Sequence, residues 1–167
     1  TLQQISDIYT RKFTNWRELG GVTPVTDQGS CGSCWCFAAT GATEGNLRIA
    51  EGVSYNLSEQ QGIGCNDYGS GCNGGWPGAA YYVFTDPGAI SEACSPYMAE
   101  DGHCLERLCE KVAIIDGFEY VAANVNSYKA ALMEGPISAC YTVYEDFEAT
   151  YVYRGYRILF GLEFGVN

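Results

Sequence analysis

The sequence predicts an α+β fold of two packed lobes, a complete helical lobe followed by an incomplete β lobe, with a cleft between them. Alanine-rich segments with helix start and stop signals occupy residues 34–84, whereas β-branched and aromatic residues dominate from about residue 110. A chain of 167 residues can bury a real hydrophobic core. We therefore assign an N-terminal extension to residues 1–13, the helical lobe to 14–110 and the partial β lobe to 111–167.

Two helices are predicted in the first half of the helical lobe. Residues 34–51 form the longer one, because alanines and leucine fill it and Gly52 can end it. Ser58 is a candidate N-cap for a short helix over residues 58–63, and Gln61 would complete a capping box with it.

A third helix and the elements of the β lobe follow. Pro77 favours a helix start, which predicts a helix over residues 77–84. Residues 112–121 and 137–144 have the composition of strands, and residues 127–134 between them read as a helix. The order of elements is therefore helical first and strand-rich later.

The charge excludes one class of partner. Twenty acidic residues against nine basic ones give a net charge of −11, and clustered Lys and Arg that would bind phosphates are missing.

No apolar run is long enough to span a membrane. The first residues also lack the pattern of a signal peptide. We expect no nucleic-acid partner, no membrane contact, and no metal or organic cofactor.

Nine cysteines predict a disulfide framework in an oxidising compartment. The alternative, a zinc site, has little support, because the chain has a single histidine, His103, and no second CxxC pair. The number of cysteines by itself does not exclude a zinc site made of four cysteines. The odd number leaves at least one thiol unpaired.

The segment Thr26-Asp-Gln-Gly-Ser-Cys-Gly-Ser-Cys-Trp35 carries the strongest chemical signal. Cys34 lies at the N-terminus of the predicted long helix, where unpaired N–H groups stabilise a thiolate, the nucleophilic form of cysteine. Gln28 lies on a glycine-rich loop and can fold back to donate to an oxyanion beside the Cys34 N–H. The alternative is that Cys31 and Cys34 are a CxxC redox pair or ordinary disulfide cysteines.

Residues 27–37 resemble the active-site motif of the papain-like, cathepsin-type cysteine peptidases. Further stretches resemble that family in the same order, so the resemblance covers about residues 14–155 and implies the papain-like two-lobed fold. These stretches are Asn15-Trp-Arg-Glu18, Val22-Thr-Pro-Val25, Leu57-Ser-Glu-Gln60, Gly71-Cys-Asn-Gly-Gly75, Gly135-Pro-Ile-Ser138 and Asp146-Phe147.

The resemblance implies roles for seven residues toward a peptide or protein substrate. Cys34 matches the nucleophile and Gln28 the oxyanion donor. The residues matching the substrate-binding surface are Gly74 and Gly75, which pair with the substrate backbone, and Trp76, Pro77 and Cys140, which line the pocket for the second residue upstream of the cut. Cys140 is equally well explained as a small buried hydrophobic residue.

The resemblance also implies a cysteine pairing. The family pattern gives Cys31–Cys72 and Cys65–Cys104, and the spacing after Glu92 is similar to the dipeptidyl-peptidase I (cathepsin C) branch, which adds Cys94–Cys109. Cys34, Cys36 and Cys140 remain, and we expect Cys36 to be a buried free thiol.

The catalytic histidine of the family falls about 130–150 residues after the cysteine, at or beyond Asn167. His103 is expected to have only a loop-surface role. Three hypotheses follow: a heavy chain whose light chain supplies His and Asn, a sequence that is truncated or altered near its end, or a catalytically inactive relative that serves as a binding or scaffold subunit. Gln28, Cys34 and the two glycines together argue against the third.

Two expectations concern processing and location. Asn56-Leu-Ser58 is an N-glycosylation sequon, and a capping role for Ser58 is compatible with it. The disulfides and the family resemblance together imply a lysosomal or extracellular location.

Overall fold

Helix α1, Cys34–Glu51, is the central element of the computed structural model, which describes residues 15–140. Its bounds are the predicted ones. Gly52 ends the helix in the left-handed region, with φ 71°, and its N–H donates to the carbonyl of Arg48. The helix buries a face that includes Trp35, Phe37 and Leu47. The predicted N-terminal extension lies outside the described residues.

Helix α2, Glu59–Cys65, begins at the predicted cap. The hydroxyl of Ser58 accepts a hydrogen bond from the backbone N–H of Gln61. The second half of the predicted capping box is wrong, because the Gln61 side chain reaches across the fold instead. Its Nε2 donates to Gly88 O and its Oε1 accepts from Ile90 N, both at 2.8 Å. The buried amide therefore satisfies two backbone groups of residues 88–90.

Helix α3, Pro77–Val83, starts with proline. Proline lacks a backbone N–H, and at the first position of a helix this costs no hydrogen bond, because that N–H has no acceptor within the helix. The helix ends at Val83, one residue before the predicted end at Phe84. The chain then continues into one π-helical turn, Phe84–Gly88. Asp86 is extended inside this turn, with φ −148°, and breaks the helical path. Phe84 is fully buried and fixes the turn on the core.

The described residues contain one small antiparallel sheet. Strand β1, Ala89–Ile90, pairs with strand β2, Lys111–Ala113, with Ala89 opposite Ala113 and a register irregularity between Ala89 and Ile90. The predicted strand over residues 112–121 is therefore wrong in length. A β ladder extends only as far as its neighbour, and β1 offers two residues.

The predicted strand over residues 137–144 is only partly within the described range. Residues 137–140 have no regular secondary structure, and the remainder lies outside the described residues. A short 3₁₀ turn, Glu106–Leu108, which the sequence pattern does not reveal, precedes β2.

Helix α4, Val125–Glu134, contains the predicted helix and begins two residues earlier, because Asn124 caps it through the N–H of Ser127. None of its residues is buried. Two side-chain contacts tie this region to the helical lobe: Trp16 Nε1 donates to Leu132 O at 2.7 Å, and Asn46 Nδ2 donates to Pro136 O at 2.8 Å.

The core lies where α1, α2 and α3 meet. Leu57, Phe84 and Ile90 are fully buried, and each contributes about 1.5–3 kcal/mol by leaving water. No helix within residues 15–140 is long and apolar enough to cross a bilayer.

A buried carboxyl lies at the edge of this core. Glu44 projects from α1, and its Oε1 accepts the backbone N–H of Leu57 at 2.7 Å. Burial raises the pKa of Glu44, although hydrogen bonds from Thr23 and Leu57 act in the opposite direction. Burial also raises the pKa of Glu92, and the neighbouring charge of Glu44 adds to that increase.

We predict that the free energy of unfolding falls as pH rises from acid to neutral because of Glu44. A carboxyl with a raised folded-state pKa contributes stability below its unfolded pKa of about 4.3, and that contribution is lost as pH rises through the folded value. Glu44→Gln keeps an acceptor for Leu57 and removes the charge. Thermal unfolding at several pH values should therefore show the variant gaining stability relative to wild type as pH rises above the unfolded pKa of about 4.3.

The matched control is Glu110→Gln, at an exposed position, which should not change the slope. An equal Glu44→Gln effect at every pH would contradict a titrating carboxyl at this site.

Candidate thiol site

Cys34 is the first residue of α1 and is partly exposed, whereas its neighbours Ser33 and Trp35 are buried. The carbonyl of Ser33 accepts from Cys36 N at 2.8 Å and from Phe37 N at 3.2 Å. The N–H groups at the very start of a helix have no acceptor within it and carry partial positive charge. The thiol therefore meets solvent at a helix end whose first N–H groups have no acceptor within the helix.

Gln28 folds back toward this helix end, as the sequence predicts. Its Nε2 donates to Cys31 O at 2.8 Å, and Cys31 N donates to Gln28 O at 3.4 Å. Gly29 makes the turn between them with φ 58°. An amide nitrogen carries two donors, and the Cys31 carbonyl takes one of them. The amide thus lies on the same loop that presents Cys34, and its role as an oxyanion donor stays a prediction.

The glycine loop is joined to this loop by three connections. Cys31 and Cys72 form a disulfide, Gly32 N donates to Cys72 O at 2.7 Å, and Trp35 Nε1 donates to Gly71 O at 3.1 Å. The structure therefore brings together the thiol loop and the predicted substrate-binding glycines.

The two glycines of this loop have different reasons to be glycine. Gly74 has φ 109°, which side chains rarely adopt, and it exchanges backbone hydrogen bonds with Gly71. At Gly75, an added Cβ would lie 2.6 Å from Cε2 of Trp35. The loop can approach the indole this closely only without a side chain.

The predicted pocket residues differ in solvent exposure. Trp76 is 37% exposed, whereas Pro77 is buried at the start of α3. Cys140 is exposed, so the alternative of a small buried hydrophobic residue is wrong. Partial desolvation raises the pKa of Cys140, and the charge of Cys34 adds to the increase. The pocket roles of these residues stay predictions.

The structure contains the three implied disulfides, Cys31–Cys72, Cys65–Cys104 and Cys94–Cys109. Cys34 is a free thiol, so the alternative of a Cys31–Cys34 disulfide is wrong. Within residues 15–140, a metal-ligand geometry occurs only around Cys65, Cys104 and Glu106. The two sulfurs there are joined to each other and cannot act as thiolate ligands.

Cys36 is a buried free thiol, as expected. Its Sγ donates to Glu59 O at 3.3 Å, and burial raises its pKa well above the ordinary range, with the charge of Glu59 adding to the effect. It therefore stays protonated and unreactive. An added Cβ at Gly62 would collide with the Cys36 sulfur, so the larger side chain at position 36 depends on a glycine opposite it.

His103 and Asn56 are both exposed. His103 lies on the loop that the Cys65–Cys104 disulfide ties to the end of α2, in the surface position predicted for it. Exposure makes Asn56 accessible to a modifying enzyme, and its glycosylation stays a prediction.

Sequence reasoning misses two polar residues that support the site. Asp101 Oδ1 accepts the backbone N–H of Cys72 at 2.7 Å and so braces the glycine loop. The hydroxyl of Tyr97 lies 2.6 Å from Ser33 Oγ and donates to Gln28 O at 2.7 Å. Both residues lie more than 60 positions from Cys34, and no local pattern marks them.

Comparison with known proteins gives consistent matches. Residues 10–157 match the family described as papain family cysteine protease. Zingipain-2 of Zingiber officinale is 40% identical over 126 residues, which cover 74% of this chain and 57% of that protein. Procathepsin L of Rattus norvegicus is 43% identical over 131 residues, which cover 76% of this chain and 39% of that protein.

Solved structures agree with these relatives. The bromelain protease from Ananas comosus in complex with the E64 inhibitor superposes with a TM-score of 0.69 at 36% identity, over 73% of this chain and 57% of that chain. The matches therefore span between 39% and 57% of the length of these relatives, and they support the papain-like α+β fold.

We predict that Gly62→Ala destabilises the protein by about 1–3 kcal/mol, because the added methyl meets the buried Cys36 sulfur. Cys36→Ala should relieve this clash. The loss of unfolding free energy in the double variant should then be smaller than the sum of the losses in the two single variants by ~1 kcal/mol, measured by chemical denaturation.

The control cycle combines Cys36→Ala with Gly69→Ala, whose added Cβ would contact nothing within 4 Å. That pair should be additive. Additivity in the Cys36–Gly62 cycle as well would contradict a steric clash between the side chains at these two positions.

Proposed function

Because this chain belongs to the papain family of cysteine proteases, we propose that it hydrolyses peptide bonds through a thioacyl intermediate on Cys34. The observation that carries the proposal is the placement of a partly exposed thiol at the start of α1, with the Gln28 amide on the same loop. The disulfide from Cys31 to Cys72 keeps the glycine loop beside it.

In the first step, the thiolate attacks the carbonyl carbon of the substrate, and the carbonyl oxygen becomes an oxyanion. The Cys34 N–H and the Gln28 amide would donate to that oxygen. Both donors are attached to one short loop, so they need no rearrangement when charge develops. The C–N bond then breaks, and the leaving amine takes a proton from an imidazole.

In the second step, the imidazole removes a proton from water, which attacks the thioester and releases the acid product. The chain has one histidine, His103, and it is exposed on the loop that the Cys65–Cys104 disulfide ties to the end of α2. We therefore propose that the imidazole and its Asn partner come from a light chain or a C-terminal segment.

The surface of residues 111–140 supports a companion segment. Helix α4 has no buried residue, and large apolar side chains of this region are exposed. They are Val112, Ile114, Tyr120, Val125 and Tyr128, with exposures of 37–74%. Apolar surface of this extent favours coverage by protein. The Cys94–Cys109 bridge, which is similar to the dipeptidyl-peptidase I branch, favours a heavy chain paired with a light chain.

The substrate would be a peptide lying along Gly74 and Gly75 in extended form, where backbone groups pair as in a short strand. Trp76 and Cys140 would contact its second residue upstream of the cut. Three disulfides suit an oxidising compartment, so we propose a lysosomal or extracellular location.

We predict that Cys34→Ala abolishes peptide hydrolysis by the full protein, and that Gln28→Ala lowers kcat by about 100-fold or more, the usual loss of an oxyanion donor. Both are measured with a fluorogenic peptide amide. Cys36→Ala is the matched control, since that thiol is buried and should not contribute to turnover. Retained turnover in Cys34→Ala would overturn the proposed function.

We further predict that protein purified from its natural source contains a second polypeptide with an Asn and a His in a papain-family motif. Intact mass spectrometry before and after reduction, with sequencing of each species, tests this. An 18.1 kDa species alone, inactive toward peptides, would favour a scaffold role instead.

A further inference from the structure

The hydroxyl of Tyr97 joins two parts of the thiol site. It lies 2.6 Å from the hydroxyl of Ser33, the residue directly before Cys34. It also donates to the carbonyl of Gln28 at 2.7 Å. One phenol group thus connects the start of α1 with the loop that carries the Gln28 amide.

The direction of this hydrogen-bond chain follows from proton counting. The Tyr97 hydroxyl has one proton, and the Gln28 carbonyl can only accept, so the tyrosine donates there. In the short contact of 2.6 Å, Ser33 must therefore be the donor to the Tyr97 oxygen. The competing acceptor for the Ser33 proton, Cys31 O, lies 3.4 Å away. Burial raises the pKa of Tyr97, which keeps its proton in place at neutral pH.

This arrangement uses Ser33 in an unusual way. Serine at the N-cap of a helix ordinarily accepts a backbone N–H of the first turn through its side chain. Ser33 occupies the N-cap of α1 and makes no such bond. Its hydroxyl is directed to Tyr97 instead, so the residue directly before Cys34 is tied to a segment outside the helix.

Tyr97 is itself held from several sides. Its N–H donates to Glu92 Oε1 at 2.7 Å, and the next residue donates through its N–H to Gln60 Oε1 at 2.9 Å. The ring meets the ring of Phe37 edge-on, with centroids 4.8 Å apart. The Cys94–Cys109 disulfide closes the segment that contains it. A phenol fixed in this way can act as a rigid support for the thiol loop.

We infer that Tyr97 is a positioning residue for the oxyanion-binding groups, acting through the Ser33 hydroxyl and the Gln28 carbonyl and resting on the proposed peptidase function. Its hydroxyl fixes the spacing between the Cys34 N–H and the Gln28 amide. Without it, these two donors would not converge on one oxygen, although the thiol itself would be unchanged.

The test compares two reactions of the full, active protein. Hydrolysis of a fluorogenic peptide amide passes through an oxyanion, whereas alkylation of Cys34 by iodoacetamide does not. Tyr97→Phe keeps the ring and removes the hydroxyl, so it should lower kcat by roughly 10-fold, less than loss of a donor itself. KM and the alkylation rate at Cys34, followed by mass spectrometry of its peptide, should stay within about twofold of wild type.

A double-variant cycle provides the second readout. If Tyr97 acts by aiming Gln28, then Tyr97→Phe combined with Gln28→Ala should be no slower than Gln28→Ala alone. Tyr55→Phe is the matched control: its hydroxyl bonds Glu51 at the far end of α1, and kcat should be unchanged.

Three results would overturn the inference: an unchanged kcat in Tyr97→Phe, losses that multiply in the double variant, or alkylation that slows in parallel with hydrolysis. If Tyr97→Phe does not fold, Ser33→Ala breaks the same chain from its other end and should give the same pattern. Failure of the proposed function is seen separately, as turnover that survives Cys34→Ala.

Discussion

The burial of Trp35 is the constraint on which the site depends. This side chain is 3% exposed, and its ring lies between the start of α1 and the glycine loop. Its N–H is satisfied by Gly71 O, so the indole is buried without a lost hydrogen bond. With the Cys31–Cys72 disulfide beside it, the first turn of α1 cannot shift relative to the loop. Cys34 is therefore presented to solvent by a turn whose neighbours are fixed.

In the rest of the helical lobe, buried polar side chains form the hydrogen bonds to backbone N–H and C=O groups that a β-sheet would otherwise provide. Residues 84–110 contain little regular structure, and their backbone groups still need partners. Gln60 and Gln61 supply four of these hydrogen bonds, to Glu100 O, Met98 N, Gly88 O and Ile90 N. Ser58 adds another by donating to Ser95 O at 2.6 Å. The irregular segment is thereby ordered by α2, which allows it to place Tyr97 against the thiol loop.

The two parts of the described chain differ in how they are stabilised. The helical lobe has a continuous apolar core around α1, α2 and α3, whereas α4 and the residues around it are mostly exposed. The later part is attached by the polar contacts of Trp16 and Asn46 and by the stacking of Phe118 on Tyr81 and of Tyr120 on Trp76. Gly45 permits this attachment, because an added Cβ there would lie 2.8 Å from Pro136.

The sequence by itself determined the helices, because caps, prolines and glycines act within a few residues of the bond they control. It also determined the thiol motif, since Gln28 and Cys34 belong to one short segment. The tertiary structure decided the rest. The apolar run after residue 112 becomes a strand of only three residues because its partner is short, and Gln61 leaves its cap to serve distant backbone. The support from Tyr97 likewise depends on contacts between segments more than 60 residues apart, which no local pattern encodes.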